Sequence, residues 1–223
     1  DIGALVAPDE FAGDRPLVVG ATGGLGAVTA RLLAAGGAAP VLTWHQTRSG
    51  AEATACSVAA LGGRCDLVQL DACSPESGLA DLAKIHWAGE QIYYFATPRI
   101  FRRHLALYQG SDLRTFLDVY VDGFYQLVCG LLKLRPGARM RFFYPSTVAA
   151  AQPTADLLEY GMAKLAGEHL CARLQEKYKT LSISVARLPR IATRQTASFI
   201  KVPAERPEHV MLPIVRALQG KET

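Results

Sequence analysis

The sequence predicts a doubly wound α/β domain, one parallel sheet with helices on both faces. Three observations predict it. Short apolar runs rich in β-branched and aromatic residues alternate with helical stretches along the chain. The first two helical stretches each close on Gly-Gly, a stop signal. The first strand runs straight into a glycine-rich turn that opens a helix.

Each element follows from its own residues. The first strand is RPLVVGAT (15–22), and LGAVTARLLAAGG (25–37) is the helix after it. APVLTWH (39–45) and SGAEATACSVAALGG (49–63) form the second pair. CDLVQLDA (65–72) is the third strand; SPESGLADLAKI (74–85) is the third helix, with Ser74 placed to cap it before Pro75. QIYYFAT (91–97) is the fourth strand, and a long helical region covers 111–134. MRFFYPST (140–147) is the fifth strand, a helix runs from about 157 to 178, and LSISVARL (181–188) is the sixth strand. PEHVMLPIVRAL (207–218) is a last helix interrupted by proline. In such a sheet ligands sit at the carboxyl ends of the strands, so the site is expected just after residues 20, 45, 72, 97, 147 and 189.

Composition bounds the function. The 223 residues fit one large domain and are half hydrophobic, enough for a substantial core. Residues 1–14 read as a leader or tether and 15–223 as the domain. A net charge of +4 without a Lys/Arg block gives no nucleic-acid arm. No uninterrupted apolar run is long enough to span a membrane, and the acidic, proline-broken start does not read as a signal peptide. The five cysteines are scattered and form no CxxC pair, so no metal site is expected and a reducing cytoplasm is.

Gly20-Ala21-Thr22-Gly23-Gly24-Leu25-Gly26 lies between the first strand and first helix. There glycines permit a tight turn and let backbone approach a pyrophosphate, while the helix N-terminus supplies N–H groups to it. Gly20, Thr22, Gly23, Gly24, Leu25 and Gly26 are therefore the dinucleotide candidates. A ribose 2′-hydroxyl usually meets a carboxylate after the second strand, yet no Asp or Glu occurs between Pro40 and Gly50. His45 and Arg48 suit a 2′-phosphate, which favours NADP(H) over NAD(H); the bland alternative for Arg48 is a solvated loop charge. Asp71, followed by Ala72, can accept from an adenine amino group or cap a turn.

Tyr160 and Lys164 stand four residues apart on one helix face. Alone they read as a core tyrosine beside a surface lysine. After a strand ending in Ser146 and Thr147 they read as a proton donor and the cation that tunes it. A free phenol titrates near 10, and a nearby ammonium lowers that value.

Together GATGGLG (20–26), LDA (70–72), ST (146–147), YGMAK (160–164) and RLPRIAT (187–193) resemble the short-chain dehydrogenase/reductase family over roughly 15–195, closest to its ketoacyl-reductase-like members. The resemblance implies a Rossmann-type sheet of order 3-2-1-4-5-6. It implies Tyr160 as proton donor, Lys164 lowering its pKa and holding the nicotinamide ribose, and a hydroxyl orienting the carbonyl. Thr147 has the spacing of that hydroxyl and Ser146 the residue type. It places Phe95, Ala96 and Thr97 beside the cofactor, and Pro189, Ile191 and Thr193 along the nicotinamide pocket. Homodimers or homotetramers are usual for the family.

The chain also departs from the pattern. FATP (95–98) replaces Asn-Asn-Ala-Gly, Tyr120 stands where a relay asparagine is usual, Arg190 replaces a glycine, and no seventh strand follows. An atypical subgroup, or a reductase domain of a larger fused protein, is the expectation. The expected activity is NADPH-dependent reduction of a ketone, a β-ketoacyl thioester on acyl carrier protein or coenzyme A among them. Arg99, Arg102 and Arg103 suit the carrier phosphate, or form a solvated face. A sugar-nucleotide epimerase or dehydratase is the first alternative, although the short stretch 194–209 cannot build a large sugar-nucleotide domain. A non-catalytic NADP-binding module is the second.

Overall fold

The computed structural model describes residues 2–100, 108–151, 155–189, 191 and 205–221. Its elements are β1 (Leu17–Val19), α1 (Gly24–Ala35), β2 (Val41–Trp44), α2 (Arg48–Ala59), β3 (Asp66–Gln69), α3 (Glu76–Lys84), β4 (Gln91–Tyr94), α4 (Gly110–Leu117), α5 (Phe124–Leu134), β5 (Met140–Thr147), α6 (Val148–Ala151), α7 (Leu158–Lys177), β6 (Leu181–Leu188) and α8 (Pro207–Gln219). The strands form one six-stranded sheet in the order β3-β2-β1-β4-β5-β6, parallel throughout. This is the Rossmann-type order expected from the sequence. Among the described residues no helix is long and apolar enough to cross a membrane.

Strand alternation divides the core in two. Along β5, Met140, Phe142 and Tyr144 pack with α3, α4, α5 and α7, while Phe143 packs with α1, α2 and α8. Both faces of the sheet are covered, which explains the nearly continuous apolar strands.

Two regions differ from the sequence reading. The long helix expected at 111–134 is broken: a π-helical turn at Asp118–Gly123 joins α4 to α5. One extra residue per turn shifts what the helix presents to the sheet, and Tyr120 is buried there. The segment read as leader or tether packs onto the domain. Phe11 is fully buried in the second core, its N–H bonds Gly36 O at 2.6 Å, and Glu10 pairs with Arg216 of α8 at 2.6 Å.

Candidate active site

The carboxyl ends of all six strands open into one cleft of about 1690 Å³, larger than the roughly 300–1,000 Å³ of a drug-sized ligand site. Its floor is the glycine turn. Gly20 sits at φ 83°, where a side chain is strained, and a Cβ there would lie 2.8 Å from the Phe95 carbonyl carbon. A Cβ on Gly26 would collide with the Gly20 carbonyl oxygen, so α1 can approach the turn this closely only at glycine. Gly23 and Gly24, by contrast, face open space. No side chain caps the α1 N-terminus. The outer glycines thus fix the turn while the inner two leave backbone exposed, the arrangement a pyrophosphate requires. Thr22 and Leu25 line the same floor.

At the end of β2 and β3, His45 Nε2 lies 3.4 Å from Asp71 Oδ2. Asp71 Oδ1 also accepts the Cys73 N–H at 2.9 Å, so Asp71 does cap a turn while lining the cleft beside Ala72. Arg48 stands apart from the other candidates. It does not line the cleft; its Nε pairs with Glu52 Oε1 at 2.8 Å, one turn along α2. Because α2 begins at Arg48, its side chain follows the helix surface to the acid four residues on. Arg31 of α1 lines the cleft instead, together with His45 and Thr47. Sequence reasoning missed it, although a basic residue on the helix that follows the turn was visible.

The catalytic candidates converge at the ends of β5 and α7. Tyr160, half-buried, stands beside the Thr147 hydroxyl in the cleft. Burial pushes the Tyr160 phenol up to about 12, and the neighbouring Thr147 hydroxyl draws it back part of the way. The lowering expected from Lys164 is not what the geometry gives. Lys164 is 4% exposed and its Nζ donates to Pro145 O at 2.7 Å, 5.9 Å from the centroid of the Tyr160 ring. Burial brings the ammonium itself down to about 7.

The two hydroxyl candidates part company. Ser146 Oγ bonds Glu168 Oε1 at 2.5 Å, and Arg187 of β6 grips the same carboxylate with Nε at 2.9 Å and a second nitrogen at 2.7 Å. That clamp holds the Glu168 carboxyl below its usual range, the Arg187 bond contributing most. Ser146 is thus committed to the sheet–α7 contact, whereas Thr147 Oγ1 accepts the Ala149 N–H at 3.2 Å and stands beside Tyr160 in the cleft. Phe95, Ala96, Thr97, Pro189 and Ile191 line the cleft; Arg99 lines it too. Thr193, Arg102 and Arg103 lie outside the described residues, as does Arg190.

The NAD dependent epimerase/dehydratase family model matches residues 16–222. The chain belongs to that family. No curated protein sequence matches it. Among solved structures, the oxidoreductase yciK from E. coli superposes with TM-score 0.82 at 18% identity, covering 96% of this chain and 94% of that one. A short chain dehydrogenase from Burkholderia cenocepacia, in complex with NADP, gives 0.81 at 18%, covering 94% and 91%. The promiscuous reductase LugOII, which catalyses keto-reduction at C1 during lugdunomycin biosynthesis, gives 0.72 at 18%, covering 83% and 78%. At these identities the likeness is one of fold, and the fold is that of the short-chain dehydrogenases.

Proposed function

We propose that the protein is an NADPH-dependent reductase that converts a ketone to an alcohol. The observation that carries this reading is the Thr147–Tyr160 pair beside buried Lys164, at the mouth of the cleft floored by the Gly20–Gly26 turn. The turn suits the cofactor, because its outer glycines exclude a Cβ and its inner ones face open space. Gly23, Gly24 and the α1 N-terminus would hold the pyrophosphate. Arg31 and His45 would face a 2′-phosphate, and Lys164 and Ile191 the nicotinamide end. The bound nicotinamide supplies the hydride.

The rest is the work of side chains. Thr147 holds the carbonyl oxygen near the Tyr160 hydroxyl. At neutral pH Tyr160 carries its proton, since its phenol is held up at about 12. As negative charge grows on the substrate oxygen, the phenol donates that proton and completes the alcohol. Ser146, clamped by Glu168, takes no part. Arg99 at the cleft wall suits the phosphate of an acyl carrier or coenzyme A, so β-ketoacyl thioesters are the substrates to try first.

The family match favours a second reading, an epimerase or dehydratase that recycles its nucleotide. The short stretch 189–206 between β6 and α8 weighs against a large sugar-nucleotide substrate. Following NADPH absorbance over a panel of ketones and β-ketoacyl thioesters separates the two. One NADPH consumed per alcohol formed supports the reductase. Turnover without net consumption supports the epimerase, and NADPH binding with no turnover on any carbonyl overturns both.

A further inference from the structure

Lys164 is held by aromatic rings. Its Nζ lies 3.7 Å from the centroid of the Tyr120 ring, 4.9 Å from that of Tyr144, and donates to Pro145 O at 2.7 Å. These rings come from the π-helical turn and from β5, and both are buried. Each is locked in turn. Tyr120 Oη and Thr97 Oγ1 are 2.5 Å apart, and Tyr144 Oη donates to Tyr120 O at 3.0 Å. Tyr120 also stacks on Phe116, ring centroids 5.8 Å apart and planes within 3° of parallel. On the α7 side Gly167 makes room, since a Cβ there would collide with Tyr144 Oη. The Tyr120 ring is therefore held by Thr97, just after β4, and by the stack on Phe116 of α4, and its backbone by Tyr144 of β5.

We propose that Tyr120 is a positioning residue for Lys164, its ring face holding the ammonium charged and in place by a cation–π contact. The proposal rests on the reductase reading for its purpose, but not for its geometry. Among the described residues the groups facing the ammonium are few. Tyr120 and Tyr144 offer ring faces, Pro145 offers a carbonyl, and Tyr160 turns its ring toward Nζ from 5.9 Å. Glu168 and Cys171, both on α7, act electrostatically in favour of the charged form, and burial opposes it. Glu168 is already neutralised by Arg187, with Nε and a second nitrogen on its two oxygens. The π faces and the Pro145 carbonyl are what the described residues add close to Nζ to offset desolvation. Without them burial draws the lysine further down, and the neutral amine that results loses the charge that strengthens its hydrogen bond to a bound ribose. The π turn is what brings Tyr120 to this place, which gives that break in the helix a function.

The test reads the lysine directly and needs no turnover. The chain is labelled with ε-¹³C lysine, the Lys164 resonance is identified by its loss in Lys164→Met, and its pH midpoint is measured by NMR. Tyr120→Phe keeps the ring and should leave the midpoint close to that of the wild type. Placing 3,4,5-trifluorophenylalanine at position 120 keeps the shape and strips the ring of its negative face. The midpoint should then fall by about one pH unit. A midpoint that stays fixed between Tyr120→Phe and the trifluorinated ring overturns the proposal, because a ring that only fills space is indifferent to fluorine. A protein inactive on every ketone would still give this readout, so failure of the reductase reading and failure of the cage are told apart.

Discussion

The two halves of the cleft are built from different materials. Around β1, β2 and β3 the site is mostly backbone, a glycine turn and an uncapped helix end, with side chains such as His45 at 52% exposure along its rim. Around β4, β5 and β6 it is buried side chains, with Lys164 among Tyr120, Tyr144 and Tyr160. The first half works by shape and by the direction of N–H groups. The second works by setting protonation states in a water-poor place. Changes in the first half should therefore act on cofactor affinity with little pH dependence, and changes in the second on turnover and on pH response.

Gly26→Val breaks the first half most severely. Its side chain drives into the Gly20 carbonyl, and NADPH affinity by calorimetry should weaken about 100-fold or more. Tight binding by this variant would remove the turn from its role. In the second half Thr147→Ala should lower turnover by about 100-fold, with NADPH affinity unchanged. Ser146→Ala frees Glu168 from one bond and should leave turnover within about threefold. The opposite ranking would return the role to Ser146. At the rim, Arg31→Ala should raise the Michaelis constant for NADPH by about tenfold, while Arg48→Ala, already paired with Glu52, should hardly change it.

A further effect lies in stability against pH. Lys164 is lowered from 10.5 to about 7 by burial. Between those values the unfolded chain binds more protons than the folded one, so folding is favoured increasingly as pH rises. Below about 7 both states are protonated and this dependence vanishes. Urea titrations should show wild-type stability rising relative to Lys164→Met from pH 7 towards 10, and running parallel to it at lower pH.

The contrast between the halves also explains what the sequence revealed. The glycine turn, the strands and their order are local signals, legible in runs of residues. β1 is shorter than its apolar run because the turn begins at Gly20 with φ 83°. Arg48 lies close to the strand end in sequence, yet its side chain pairs with Glu52 four residues on along the same helix. Ser146 and Thr147 were indistinguishable by type, and alternation along β5 separates them. Ser146 shares the face of Phe142 and Tyr144, towards α7 and Glu168. The cage was not legible at all. It joins Thr97, Tyr120, Tyr144 and Lys164 through a π turn, and nothing in DVYVDG announces the extra residue.

The central claim is that Tyr160 donates the proton that completes reduction. Tyr160→Phe keeps the ring contacts with Phe116 and Tyr120 and removes only the hydroxyl. With NADPH oxidation followed on a β-ketoacyl substrate, turnover should fall by about 100-fold or more while NADPH binding persists. Wild-type turnover in Tyr160→Phe would contradict it.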